Sequence, residues 1–110
     1  MADNVGTMSN TPLSETARRY DALRKGIPFI QRPDILCLTR GIVDTFPDET
    51  PLILKMVREF SVFTEKNDPW HEHDFGGFEF KGEKIFWKID DYGGHEGYEL
   101  IMTVMLASDY

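Results

Sequence analysis

The sequence predicts an α+β fold, a two-layer sandwich in which two helices pack on a mainly antiparallel four-stranded sheet. Two observations indicate this class: two segments repeat apolar residues at helical spacing, and most segments with strand character follow the second of them. A chain of 110 residues fits one domain. We place that domain at residues 11–110 and predict a disordered tail at residues 1–10, which are small and polar.

The first helix is predicted to begin at Thr11-Pro12, with Ser14 as the alternative cap, and to end at Gly26 before Pro28. One face of this helix is apolar and the remaining residues, including Arg24, are predicted to lie largely off it. The apolar positions are Leu13, Ala17, Tyr20 and Leu23.

A short strand is predicted from Asp34 to Thr39, and its apolar residues on both faces are typical of a central strand. Its Cys37, the single cysteine of the chain, is expected to be a buried and unreactive thiol. Since no intramolecular disulfide can form, a reducing cytoplasm is the expected compartment. Thr39-Arg40-Gly41 is predicted to break the strand.

The second helix is predicted to follow Asp48 or Thr50 as its cap, with Pro51 in the first turn. It carries the clearest amphipathic pattern in the chain, which predicts a face packed in the core. The positions on that face are Leu52, Ile53, Met56, Val57, Phe60 and Phe63.

A β-hairpin is predicted next, with strands His73–Phe80 and Lys84–Asp91 joined by Lys81-Gly82-Glu83. Alternate side chains point to opposite faces. One predicted face belongs to the core and contains Phe78, Phe80, Ile85, Trp87 and Ile89. The other is mixed and contains His73, Phe75, Glu79, Phe86, Lys88 and Asp90.

The glycine-rich residues 93–97 predict a mobile loop. The almost wholly apolar segment from Tyr98 to Ala107 predicts a strand buried on both faces beside the hairpin. A helix is the alternative, because Leu, Met and Ala are good helix formers.

The charge of the chain is asymmetric. Residues 65–110 contain eleven acidic and four basic residues, which accounts for the whole net charge of −7. A negative field of this kind repels nucleic acid and favours a basic protein partner. The sequence has neither a recognisable signal peptide nor an apolar run as long as a membrane span, so no membrane association is expected.

Three groups of residues are candidates for chemistry or binding. The first is a metal site using His71, His73 and His95, although their spacing matches no established metal signature. The second is an acid–base site in which His73 lies with Lys88 and Asp90 on one face of the hairpin. Each group has a simpler interpretation, respectively unremarkable histidines and a hydrogen-bonded structural histidine. No cofactor is predicted.

The third group is an acidic and aromatic surface that would bind a protein partner. Its simpler interpretation is a solvated face that keeps the protein soluble. The predicted residues are Trp70, Glu72, Asp74, Asp90, Asp91, Tyr92 and Glu96, with Tyr98 and Glu99 beside them.

Several short blocks of the sequence resemble a family of small bacterial domains of unknown function. That family is found largely on proteobacterial plasmids and integrative elements. The resemblance covers about residues 15–110, and Asp91-Tyr92-Gly93 departs from the family pattern. The blocks are EHDFG at 72–76, FWKID at 86–90 and MLASDY at 105–110, with NDP at 67–69, T-x-GI at 39–42 and YDALR at 20–24 upstream.

The resemblance implies no activity, but it implies a setting in which small acidic proteins blunt host defences. The resulting hypothesis is a cytoplasmic domain that binds a basic partner, acting as an anti-CRISPR or antirestriction inhibitor. The alternative hypothesis is a metal- or histidine-dependent enzyme centred on His73. The partner and the oligomeric state do not follow from the sequence.

Overall fold

The computed structural model describes residues 13–26, 35–93 and 100–110. The predicted tail at 1–10, the loop residues from Gly94 onward and the candidates His95, Glu96, Tyr98 and Glu99 lie outside these ranges. The described chain contains three helices and four strands. In order they are α1 Glu15–Gly26, β1 Leu36–Leu38, α2 Arg40–Thr45, α3 Thr50–Glu59, β2 Phe75–Phe80, β3 Glu83–Asp91 and β4 Leu100–Leu106, followed by a 3₁₀ helix Ala107–Asp109.

The four strands form one mixed sheet in the order β1-β4-β3-β2. Strand β4 pairs antiparallel with β3, as Trp87 opposite Val104 illustrates, and β3 pairs antiparallel with β2. Only β1 is parallel to its neighbour β4. The α+β sandwich with a mainly antiparallel four-stranded sheet is therefore confirmed, with one more helix than predicted.

The core lies between the helices and one face of the sheet. Trp87 is fully buried at its centre, and the predicted core face of the hairpin is confirmed, although Phe78 is only partly buried. Gly76 is required beneath this tryptophan, since a Cβ there would lie 2.5 Å from the indole Nε1. Strand β4 contributes buried residues to the same core. The residues at the centre are Ile42, Ile53, Val57, Ile85, Trp87, Met102 and Val104.

Helix α1 begins after Ser14, whose hydroxyl accepts a hydrogen bond from the N–H of Ala17 at 3.0 Å. The alternative cap is therefore the one observed. The prediction for Arg24 is wrong, because this residue is completely buried with Ala17 and Tyr20. Positions 17, 20 and 24 continue one helical face, and the guanidinium at its end finds partners inside the protein.

Strand β1 is shorter than predicted and forms an edge of the described sheet rather than its centre. It pairs with β4, where Cys37 lies opposite Thr103; Leu36 and Leu38 pack against the core, so the side chain of Cys37 lies on the opposite face of the sheet and is exposed. The prediction of a buried thiol is wrong for this reason.

Helix α2 was not predicted, because Gly41 looked like a breaker. Thr39 caps the helix by accepting a hydrogen bond from the N–H of Ile42, and its own hydroxyl donates to Asp109 at 2.7 Å. A Cβ at Gly41 would lie 2.4 Å from that Asp109 carboxylate. Glycine therefore lets the helix approach the end of β4.

Helix α3 confirms an amphipathic helix with Pro51 in its first turn, but it ends at Glu59, so Phe60 and Phe63 of the predicted face lie beyond it. The predicted caps are wrong: Glu49 is the capping residue, without a side-chain bond, and the Thr50 hydroxyl donates to the carbonyl of Phe46. Ile53, Leu54 and Val57 are buried, whereas Leu52 is half exposed.

The hairpin turns at Lys81-Gly82, where both φ angles are positive at 50° and 85°. Two consecutive positive φ angles are typical of a type I′ turn, which matches the twist of the strands. The final apolar segment is confirmed as a strand rather than a helix, since β4 pairs on both sides. No helix within residues 13–26, 35–93 or 100–110 is long and apolar enough to cross a membrane.

Candidate functional site

His73 is not a strand residue and does not lie with Lys88 and Asp90. Strand β2 begins at Phe75, and the backbone at His73 has a positive φ of 57°. The side chain of Asp68 accepts hydrogen bonds from the N–H groups of Glu72 and His73, which holds this turn in place. The turn directs the imidazole toward α1, so the predicted acid–base group is not assembled.

The imidazole instead completes a buried charge cluster, which we define as Asp21, Arg24, Asp68 and His73. Its Nδ1 lies 2.9 Å from the Asp21 carboxylate, and its Nε2 lies 3.7 Å from that of Asp68. The ring stacks on Phe63, with centroids 3.8 Å apart and planes 4° from parallel. Only 13% of the His73 side chain is exposed.

Arg24 is the cation of this cluster. Its Nη2 donates to Asp21 at 3.0 Å, and its Nη1 donates to the carbonyls of Val57, Arg58 and Phe60 at the C-terminal end of α3. The guanidinium also lies 4.9 Å from the Trp87 ring centroid, a cation–π distance. Burial lowers the pKa of Arg24, and its hydrogen bond to Asp21 opposes that shift.

The cluster therefore joins α1, the end of α3 and the turn before β2. Both ring nitrogens of His73 face carboxylates, so the arrangement supports a structural role for the imidazole more than a role as a general base. One signal of this cluster was present in the sequence. Extending the predicted face of α1 by four residues from Tyr20 reaches Arg24, one turn from Asp21.

The predicted histidine metal site is not assembled in the described residues. His71 is largely exposed and its Nε2 lies 3.2 Å from Glu65, whereas His73 is directed toward α1. Within residues 13–26, 35–93 and 100–110, no group of three or more His, Cys, Asp or Glu side chains is placed to hold a metal ion. The third predicted ligand, His95, lies outside these ranges.

Lys88 and Asp90 lie together on the sheet face away from the helices, where their side-chain charges are 3.0 Å apart. The hydrogen bond that the Lys88 ammonium donates to Asp90 raises the pKa of Lys88. Beside them the rings of Phe75 and Phe86 pack against Tyr110. The Lys88–Asp90 pair is partly exposed. The imidazole that sequence analysis assigned to this pair, that of His73, is on the other side of the sheet.

Four of the predicted partner-binding acids come together at the open end of the hairpin. We call Glu72, Asp74, Asp90 and Asp91 the acidic hairpin end. Burial raises the pKa of the Tyr20 phenol, and the charges of Asp91, Glu72 and Asp74 raise it further. Three of these carboxylates therefore act on one hydroxyl.

The Asp74 carboxyl also lies near other carboxylates. Burial raises the pKa of its carboxyl, the charges of Asp68 and Asp90 add to the increase, and a hydrogen bond to its own backbone opposes it. Two predicted aromatic residues are highly exposed, Trp70 at 80% and Tyr92 at 64%. The predicted Glu96 lies outside the described residues.

Sequence analysis did not find a groove of about 390 Å³ beside strand β2. It lies between that strand and the segment after α3. The residues around it are Met56, Glu59, Phe60, Val62, Asn67, Gly77 and Phe78. The only signal of this groove in the sequence was Val62, an apolar residue that is not on the predicted helical face. Val62 is 63% exposed.

Comparison with known families gives one match. A family model described as "Protein of unknown function (DUF3768)" matches residues 38–100. No curated protein and no solved structure matches the chain. The matched range contains α2, α3, the hairpin and two residues of the buried charge cluster, Asp68 and His73.

Proposed function

Since the chain belongs to the DUF3768 family of proteins of unknown function, we propose a function from its own residues: it is a protein-binding domain that presents the acidic hairpin end to a basic partner surface. The observation that supports this most is the crowding of Glu72, Asp74 and Asp91 around Tyr20. A negative potential of this kind favours a cationic partner.

The surroundings of the acidic hairpin end suit a protein interface. Trp70 precedes Glu72 by two positions and Tyr92 follows Asp91 directly, and both rings are mostly exposed. Aromatic anchors combined with complementary charge are what a specific interface uses for affinity and orientation. Among the described residues, Lys88 pairs with Asp90, and no lysine or arginine forms a salt bridge with Glu72, Asp74 or Asp91.

We propose further that the partner belongs to a host defence system. This step is supported by the resemblance of the blocks at 72–76, 86–90 and 105–110 to domains carried by plasmids and integrative elements. Restriction and CRISPR proteins bind nucleic acid through basic surfaces, which an acidic protein can occupy. The proposed activity is therefore anti-CRISPR or antirestriction inhibition without catalysis by this chain.

The test is capture of proteins from a bacterial lysate on the immobilised chain, read by mass spectrometry. We compare the wild type with Glu72→Lys/Asp91→Lys and with the control Asp44→Lys/Asp48→Lys, which changes the net charge equally at exposed sites on α2 and the turn after it. A partner of the acidic hairpin end is retained by the wild type and the control, and its retention falls about tenfold or more in the first variant.

Salt provides the second arm of this experiment. Binding through exposed charges weakens as salt rises from about 50 mM to about 300 mM, because the Debye length shortens. Equal capture by the two charge variants, or capture that does not respond to salt, would contradict the proposal.

A further inference from the structure

Strand β2 is an edge of the described sheet, so half of its backbone hydrogen-bonding groups face away from β3. The N–H of Ile89 donates to the carbonyl of Asp74 at 2.8 Å, which places the backbone groups of residue 74 on the β3 side. Inward and outward groups alternate in an antiparallel pair. The outward groups are therefore those of Phe75, Gly77 and Glu79.

This edge lacks the features that normally protect one. Pairing with β3 is continuous from Phe75 opposite Lys88 to Phe80 opposite Glu83, without a bulge. The strand FGGFEF contains no proline and a single charged residue, Glu79. Natural edge strands usually carry lysines, prolines or bulges that prevent pairing with another chain. The sequence of β2 therefore leaves the edge open to a further strand.

The groove lies alongside this open edge. Phe78 and Gly77 of β2 form one side of it, and Val62 lies opposite with the end of α3. The segment that carries Val62 is held in place, since Asn67 donates to the carbonyl of Val62 at 2.8 Å and accepts from the N–H of Thr64 at 2.8 Å. The groove thus has an ordered apolar wall beside backbone groups that pair with no residue in the described part of the chain.

The charges at the groove are negative. Glu59 lies on its lining, and the exposed Glu79 lies on the same strand as Gly77 and Phe78. A strand added to the edge alternates its side chains between the two faces. Side chains on the helix face would enter the groove beside Phe78, and those on the opposite face would lie beside Glu79.

We propose that strand β2 and the groove bind an extended peptide segment of the partner by strand addition, with apolar side chains in the groove and lysine or arginine at the alternate positions. The basic character of this segment rests on the proposed function. Main-chain hydrogen bonds supply affinity in this mode, and pockets for alternate side chains supply specificity. A second copy of the chain fits less well, since each copy brings a net charge of −7 and the same glutamates to the edge.

The test uses the full chain and three fluorescein-labelled heptapeptides, in fluorescence anisotropy titrations. The probe is Lys-Val-Lys-Val-Lys-Val-Lys, and its comparators replace every valine by serine or every lysine by glutamate. We expect saturable binding of the probe with a dissociation constant of about 10–100 µM, and binding at least about tenfold weaker for both comparators. Equal binding of the valine and serine peptides would mean that charge alone attracts them, and would overturn the proposal.

Amide hydrogen exchange read by NMR locates the bound peptide. With the probe at saturation, the amides of Phe75, Gly77 and Glu79 are expected to exchange at least about tenfold more slowly. Those of Gly76 and Phe78 already face β3 and should not change. Uniform slowing, or slowing confined to other strands, contradicts strand addition.

Two pairs of variants separate backbone from groove. Glu79→Pro removes an outward N–H, whereas Glu79→Ala removes the same charge and keeps that N–H. Val62→Lys places a cation at the groove. Leu52→Lys is the control, since it places a cation at an exposed apolar residue of α3. We expect Glu79→Pro and Val62→Lys to lose at least about tenfold in affinity relative to their controls.

Other occupants of the edge would be recognised in the same experiments. Sedimentation showing a dimer that the probe peptide cannot dissociate assigns the edge to a second copy. Binding of the probe only after deletion of residues 1–12 assigns it to the chain itself. Either result overturns the inference.

Failure of this inference differs from failure of the proposed function. If Glu72→Lys/Asp91→Lys abolishes capture of a basic protein while Glu79→Pro and Val62→Lys do not, the acidic hairpin end binds and the edge does not. If only Glu79→Pro and Val62→Lys lose capture of the basic protein, the edge binds and the acidic hairpin end does not.

Discussion

The buried charge cluster and the acidic hairpin end meet in the turn at residues 71–74, which contributes His73 to the cluster and Glu72 and Asp74 to the hairpin end, yet the carboxylates of the two groups have opposite surroundings. In the cluster, Asp21 contacts both Arg24 and His73, and Asp68 accepts hydrogen bonds from two backbone N–H groups. At the hairpin end, burial raises the pKa values of Tyr20 and Asp74, and nearby carboxylates raise both further.

The difference distinguishes charged residues that stabilise the fold from charged residues that are available for binding. A buried charge that is paired with an opposite charge of the same chain serves the folded structure and needs no external partner. At the hairpin end, the raised pKa of Asp74 indicates a charge that the folded chain does not stabilise, and perturbed groups of this kind occur often where a ligand or partner binds. The comparison therefore directs attention to the hairpin end and away from His73.

The largest effect is expected from Arg24→Met, which removes the cation of the cluster. Asp21 would lose the guanidinium that it contacts, and the carbonyls of Val57 and Phe60 would lose their hydrogen-bond donor inside the protein. We expect a loss of about 3–5 kcal/mol in the free energy of unfolding, measured by urea denaturation. The control Arg40→Met removes an exposed pair with Asp44 and should change stability by less than about 1 kcal/mol. Equal losses would mean that the cluster contributes no more than a surface pair.

An intermediate effect is expected from His73→Ala. His73 and His71 share a φ of 57°, so the same substitution at both has the same backbone cost, and the difference reports the side-chain contacts. We expect His73→Ala to lower the free energy of unfolding by about 1–3 kcal/mol, and His71→Ala by about 0.5 kcal/mol or less. Partner capture should survive both changes.

The same variant distinguishes the enzyme hypothesis. An enzyme centred on His73 would lose its activity in His73→Ala while the variant stays folded below its denaturation midpoint. Loss of a catalytic activity with unchanged stability would contradict the structural role assigned to this imidazole.

The smallest effect is expected from Asp74→Asn, and it has the opposite sign. The folded-state pKa of Asp74 lies above its ordinary value of 3.8. The unfolded chain therefore loses this proton first as pH rises, and the folded state loses stability relative to it between 3.8 and the folded pKa. At neutral pH we expect Asp74→Asn to raise Tm by about 1–4 °C and to weaken partner capture.

Measurement below pH 3.8 gives the control. There Asp74 is protonated in both states, so thermal unfolding of the variant and the wild type should coincide. A variant that is less stable than the wild type at neutral pH would show that the carboxylate is matched, and the comparison between the two regions would fail.

Much of the fold was predictable, because patterns of apolar residues decide which surfaces must be buried. The alternation in residues 75–91 identified the hairpin and its core face, and the stripe from Ile53 to Val57 identified α3. The errors occurred where a residue's role depends on distant neighbours. Gly41 permits a helix to approach Asp109, and Cys37 is exposed because its side chain lies on the sheet face opposite the core.

The candidate site was predictable in composition but not in geometry. The sequence identified the acids of the hairpin half, since charge excess can be counted. It misplaced His73, because alternation assumes an extended strand and the positive φ at that residue breaks the alternation.

By itself the sequence determined the class of the fold, the hairpin and the excess of carboxylates in the second half, since all three follow from local pattern and composition. The tertiary structure decided which charges are matched. Arg24 is buried because α1 packs against the end of α3, and β2 is an edge because of the strand order. Pairing between residues far apart in the chain depends on how the elements pack, and no local pattern encodes it.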